Sequence, residues 1–165
     1  MTFRFKDPEF SEHLRLTLLA VLVGIAAGGA SLLFKYLIHF VQDVLWRMPN
    51  ILEAVASQPW YVTVLIPAVG GLLVGPLIHY GAREATGHGV PEIMESLIFR
   101  EGRIRNRVSV VKGLASSLCI ASGGSTGREG PIVQISASLA STIGQLFNIK
   151  QRGMRTLVAA GAGAG

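Results

Sequence analysis

Two long apolar runs limit what this chain can fold into. From Leu16 to Phe34 nineteen residues carry no charge, and from Trp60 to Ile78 nineteen more do the same. At 1.5 Å rise, a nineteen-residue helix covers about 28 Å, close to the thickness of a bilayer's hydrocarbon core. A soluble protein would have to bury two helices that are apolar on every face. Charged residues make up only 15% of the 165 positions, against about a quarter in soluble domains. The expectation is an all-α, multi-pass membrane protein. High apolar content, with neither a triplet nor a sustained heptad repeat, excludes disorder, collagen and coiled coil.

The opening MTFRFKDPEFSEHLRLT does not read as a signal peptide. Asp7, Glu9 and Glu12 interrupt it, and the apolar run that follows is too long for an h-region. Residues 1–15 are expected to form a cytoplasmic amphipathic lead-in, with the transmembrane domain over 16–165. The single cysteine, Cys119, can form no intrachain disulfide and reads as a small apolar residue.

The net charge is +5, but the basic residues lie between the apolar runs and not along a groove-reading element, so nucleic acid is not an expected partner. Arg4, Lys6 and Arg15 precede the first run. Only Arg47 is basic between His39 and Pro59, whereas Arg83, Arg100, Arg103, Arg105 and Arg107 follow the second run. The positive-inside rule places the N-terminus and the 83–107 segment in the cytoplasm and the 39–59 loop outside. Trp46 and Trp60, in or beside that loop, are expected at the membrane interface. The Arg100–Arg107 stretch reads as a solvated loop, with anionic headgroups as the alternative partner.

Between Lys112 and Lys150, 37 residues contain only two charges, Arg128 and Glu129, and both flanks are basic. If both flanks are cytoplasmic, the segment must enter the membrane and return. Residues 113–127 and 130–149 suit two partial or tilted helices joined at a glycine-rich break. Irregular backbone at membrane depth is tolerated only where protein buries it or it lines a watery cavity. The break is therefore the candidate site.

It reads Gly123-Gly124-Ser125-Thr126-Gly127-Arg128-Glu129-Gly130-Pro131. The glycines permit positive φ and close approach, and Pro131 fits the first turn of a helix continuing through Ile132. N–H groups at such a start lack intrahelical partners and lie at the positive end of the helix dipole, which makes an anion site. A carboxylate at membrane depth costs about 2.5–3.5 kcal/mol unless compensated. Ionised Glu129 could take the N–H groups for itself, and when protonated or swung aside it would yield them to a mobile anion. The alternative is a capping carboxylate paired to a buried arginine. Arg128 is expected to be structural, since adjacent residues in an extended turn point apart. Gly87-His88-Gly89-Val90-Pro91-Glu92 repeats the pattern: glycines, a polar residue, proline at a helix start and an acid in the first turn. Discontinuous helices aiming their N-termini at one midplane site are a transporter device. His88 could donate to the anion or tie down its turn.

In this order and about forty residues apart, the two motifs resemble the signatures of the CLC family of chloride channels and proton-coupled chloride exchangers. GREGP at 127–131 matches a family signature at every position. GHGVP at 87–91 is similar to the family's GSGIP, with His88 for serine and Val90 for isoleucine. PEIMESL, GPIVQI and AAGAGAG also look like family sequence, and the resemblance runs from about Glu12 to the last residue. It implies the first part of an inverted-repeat fold with tilted and broken helices, incomplete here because the chain stops within the first repeat. Such a fragment is not expected to conduct alone.

The resemblance further implies transport of a small inorganic anion, chloride first. Glu129 is the implied gate. Gly87, His88, Gly89, Val90, Pro91, Gly127, Arg128, Gly130, Pro131 and Ile132 are the implied anion-pathway residues. His88 puts chloride selectivity over nitrate in question. Arg128 agrees with the chloride-type signature, not with the fluoride-exporting branch. No enzymatic activity, metal or resident cofactor is implied; protons are the candidate coupled ion. The bilayer and a second copy of the full-length chain are the implied partners, and the bacterial inner membrane is the implied location.

Rival readings explain less. A phosphate loop needs Gly-Lys-Ser/Thr after a strand or glycines within a βαβ unit, and neither is present. A non-transporting scaffold would use Gly24-x-x-x-Gly28 and Gly71-x-x-x-Gly75 for helix packing, but leaves the glycine-rich helix starts and Glu129 unexplained. An uncoupled anion channel is the alternative to an exchanger.

Overall fold

The computed structural model describes residues 8–47, 51–81 and 89–165. Among them are seven helices and no strands: α1 Pro8–Trp46, α2 Ile51–Ser57, α3 Trp60–Gly81, α4 Val90–Phe99, α5 Asn106–Ala121, α6 Glu129–Leu146 and α7 Gln151–Ala164. The fold class is thus all-α, as the apolar runs predict.

Helix α1 exceeds the predicted first run. Its buried positions Leu19, Val23, Ala27, Phe34, Ile38 and Trp46 continue one stripe at helical spacing past Lys35 and Asp43, which are exposed off that stripe. Charges outside the stripe do not end a helix whose other face still packs. Trp46 corrects a sequence expectation. It is buried, and its indole Nε1–H donates to the Ala121 carbonyl at 2.9 Å, at the end of α5. Trp60 is exposed.

The spans Glu12–Trp46 and Trp60–Gly81 are long and apolar enough to cross a bilayer, yet only 17% and 6% of their most apolar windows are buried. That exposure separates them from the core helices of a soluble domain. Gly24, Gly28, Gly71 and Gly75, expected to pack helices, face open space among the described residues. The packing glycines are others. A Cβ on Gly70 would collide with the Ser122 side chain, and one on Gly81 would come within 2.8 Å of Val111, which sets α3 antiparallel against α5.

The core forms where α1, α4, α6 and α7 meet, with Leu19, Val23, Ile93, Ala137, Ala140, Met154, Leu157 and Val158 in one cluster. Helix α6 is its axis. Ser136, Ala137, Ser138, Ala140, Ser141 and Gly144 keep its buried surface small, so neighbouring backbones approach closely. A Cβ on Gly161 of α7 would lie 2.5 Å from Ala140 Cβ and 2.9 Å from the Ser136 carbonyl.

The expected pair of helices around a glycine-rich break is present as α5 and α6. Helix α5 ends in a Schellman motif. Gly123 adopts φ 97, its N–H donates to Ile120 O at 3.1 Å, and the Gly124 N–H donates to Cys119 O at 2.9 Å. Helix α6 closes similarly, with Asn148 at φ 50 and the Ile149 N–H donating to Gly144 O at 3.0 Å. Both ends of the hairpin's basic flanks gather at one pole of the molecule. Arg15 Nη2 donates to Phe147 O at 2.7 Å, Arg107 Nη2 donates to Tyr80 O at 3.1 Å, and Gly102 packs on Met154. Trp46 and the Ser122–Arg128 break lie toward the other pole.

Candidate functional site

The fold brings the two glycine-rich helix starts together. Gly89 is the N-cap of α4, buried, with φ 87, a conformation that favours glycine. A Cβ there would sit 3.0 Å from the Gly130 carbonyl and 2.9 Å from Gln134 Oε1. The first turn of α4 therefore rests directly on the first turn of α6. Ile93 N–H donates to Gly89 O at 3.1 Å and Ile132 N–H to Arg128 O at 3.2 Å, which start the two ladders. Neither N-cap residue makes a side-chain cap, and Pro91 and Pro131 remove a donor from each first turn. The donors left over at both starts belong to residues predicted for the site: Val90 in α4, Glu129 and Gly130 in α6.

Arg128 has φ −78 and ψ −24, an α-type conformation and not the extended turn expected from sequence. Arg128 and Glu129 are both exposed and are not paired with each other, whereas Arg100 pairs with Glu95 at 3.3 Å. Glu129 is the first residue of α6, where a carboxylate is favoured by the helix dipole. Gly127 has open space where a side chain would go. Pro131 is buried and Ile132 half-buried, while Val90 and Pro91 are exposed. Gly87 and His88 lie outside the described residues.

Behind the junction stands a polar group that sequence reasoning did not single out. Gln134, 1% exposed, donates from Nε2 to Glu92 Oε2 at 2.8 Å and ties α6 to α4. Its Oε1 has no hydrogen-bond partner. Leaving a buried acceptor unpaired costs about 1–3 kcal/mol, so the arrangement is not one that packing alone would select. Lys112 of α5, 4% exposed, lies within electrostatic reach of Glu92. Glu92 and Gln134 also line a cavity of about 30 Å³ reached past Arg100, Arg103 and Arg105. The legible signal was Lys112, a charge placed at the rim of an apolar stretch; Gln134 was hidden inside GPIVQI.

A family profile described as voltage gated chloride channel matches residues 70–165 and so contains both helix starts from Gly89 onward. The chain belongs to the voltage-gated chloride channel family. Similar proteins include a ClcB-like chloride channel protein of Ralstonia nicotianae, 37% identical over 89% of this chain and 35% of its own length. Chloride channel protein CLC-e of Arabidopsis thaliana is 32% identical over 88% of this chain and 21% of its own. The H+/Cl− exchange transporter ClcA of Vibrio vulnificus is 32% identical over 94% of this chain and 33% of its own. The chain thus spans about a third, or less, of the length of these relatives. No solved structure gives a significant match. Within the family, the GREGP segment of this chain forms the start of α6 and the GHGVP segment leads into α4.

Proposed function

We propose that the chain carries part of an anion pathway, most simply for chloride, built from the N-termini of α4 and α6 and gated by Glu129. One observation carries the reading: a Cβ on Gly89 would lie 3.0 Å from the Gly130 carbonyl, so the starts of α4 and α6 are packed together, and helix starts are where N–H groups lack intrahelical partners and favour an anion. Glu129 heads one of those helices. As a carboxylate it competes with a mobile anion for the same donors; protonated or turned away, it leaves them to the anion. Preorganised N–H dipoles hold an anion without fixing a full positive charge in the bilayer, and a site of that kind also lets the anion go.

The Vibrio relatives are named as H+/Cl− exchangers, which favours proton coupling over an uncoupled channel. In the proposed orientation the basic pole is cytoplasmic and the break faces outward in a plasma membrane. The whole protein, as a homodimer, is the transporting unit, and residues 16–165 supply a first portion of its membrane domain.

Anion flux into liposomes reconstituted with full-length protein tests the gate. Glu129→Gln and Glu129→Ala are expected to transport chloride with the pH dependence of wild type removed, and with proton movement uncoupled. Wild-type flux and pH dependence in both variants sinks the gating role. His88→Ser is expected to change the ratio of chloride to nitrate flux, and an unchanged ratio removes His88 from the site.

A further inference from the structure

We infer that Gln134 is a positioning residue whose carboxamide relays the protonation of Glu92 to the anion site at the two helix starts. This rests on the anion-pathway reading above. A carboxamide has a donor end and an acceptor end, and here the two ends meet different surroundings. Nε2 donates to Glu92 Oε2 at 2.8 Å. Oε1, unpartnered, lies beside Gly89, 2.9 Å from the place a Cβ would take, with the Gly130 carbonyl 3.0 Å from that same place. The acceptor end is therefore turned toward the junction of the two helix starts, and an oxygen there repels an anion held at those starts.

Ionised Glu92 can only accept hydrogen bonds, so it holds the nitrogen of Gln134 toward itself. Protonated Glu92 has an O–H to donate. The amide then gains by turning half a revolution about its terminal torsion, whose profile is broad and two-fold. Oε1 accepts from Glu92, and the NH2 group faces the junction, where the Gly130 carbonyl and an anion can both receive it. The turn exchanges groups of nearly equal size, which a side chain 1% exposed can accommodate. The proton stays on Glu92 throughout; only hydrogen bonds change partners.

The groups around Glu92 are charged on several sides. Lys112 of α5 lies within electrostatic reach of it. The cavity of about 30 Å³ that it shares with Gln134 is lined by Glu95, Arg100, Arg103 and Arg105, and has room for about two waters through which protons reach the carboxylate from the basic pole. Glu129, at the head of α6, is a second carboxylate beside the helix starts, so the test removes it.

Chloride affinity is measured by calorimetry on the full-length protein carrying Glu129→Gln, from about pH 8 down to about pH 3.5, across the ordinary glutamate range. Binding is expected to tighten by about tenfold toward acid pH. Adding Glu92→Gln is expected to abolish the pH step, because a carboxamide does not ionise in this range. Adding Gln134→Leu abolishes the step at a value between the acid and alkaline ones, because leucine has neither the repelling oxygen nor the donating NH2 group. A flat profile with Glu129→Gln alone, or a step that survives Glu92→Gln, overturns the relay while chloride binding leaves the transport reading standing. No chloride binding at any pH overturns both. Should Gln134→Leu not yield folded protein, the isosteric Glu92→Gln decides alone.

Discussion

Gly89 shows how much of the site rests on one missing methyl group. Its φ of 87 and its contacts with Gly130 O and Gln134 Oε1 both require glycine. Gly89→Ala is expected to destabilise the protein by about 1–3 kcal/mol from backbone conformation alone, with further loss as α4 is pushed off α6. A thermal melt in detergent reads the first effect and weakened chloride binding the second. An unshifted melting midpoint means the helix starts do not touch as described. Glycines could be seen in the sequence as points of backbone freedom, but their individual roles could not. Gly24, Gly28, Gly71 and Gly75 stand out by spacing, yet a Cβ on any of them would meet nothing among the described residues, whereas Gly70 and Gly161 hold contacts that no spacing rule marks. The same holds for Trp46, whose aromatic ring and polar N–H suit an interface or a buried partner equally well until Ala121 O is placed beside it.

Helix boundaries were legible where the chain punctuates itself. Pro91 and Pro131 announce starts, Gly123 announces the end of α5, and the structure places helix termini within a few residues of each. The end of α1 was missed because Lys35 and Asp43 break the run of uncharged residues without disturbing the buried stripe. The packing of α6 on α7 depends on small side chains facing each other. Gly161→Val places its side chain against Ala140 and Ser136 O, and overpacking of this kind costs about 1–3 kcal/mol. The expected result is a lowered melting temperature, with Ser136→Gly on α6 offering no rescue because the clash involves the Ser136 backbone oxygen and Ala140. Unchanged thermal stability would place the α6–α7 interface elsewhere.

At the scale of the molecule, the distribution of charge supports the proposed orientation. Arg15, Arg103, Arg107 and Lys150 stand at helix ends that the fold gathers to one pole, and apolar side chains cover the exposed flanks of α1 and α3 between the poles. With Cys119 replaced by serine, single cysteines at Arg103 and Arg152 should react with an impermeant maleimide from one side of the membrane only, and one at Gln58 only from the other. Labelling of Arg103→Cys and Arg152→Cys from opposite sides breaks the proposed hairpin of α5 and α6. Stabilising α1 and α3 needs no interior of their own, because a bilayer accepts apolar surface that water would not.

Membrane character, the all-α class, the hairpin with its glycine-rich break, the two helix starts and the gating candidate Glu129 could all be read from residue order. Each follows from local physics: hydropathy over a helix length, proline and glycine conformations, unpaired N–H groups at a helix N-terminus. Contact between the two starts, the Glu92–Gln134 bond, the burial of Lys112 and Trp46, and the choice of packing glycines arose only in three dimensions. These contacts join residues up to 75 positions apart. Their partners are selected by which helix faces the core, and that is a property of the assembled bundle.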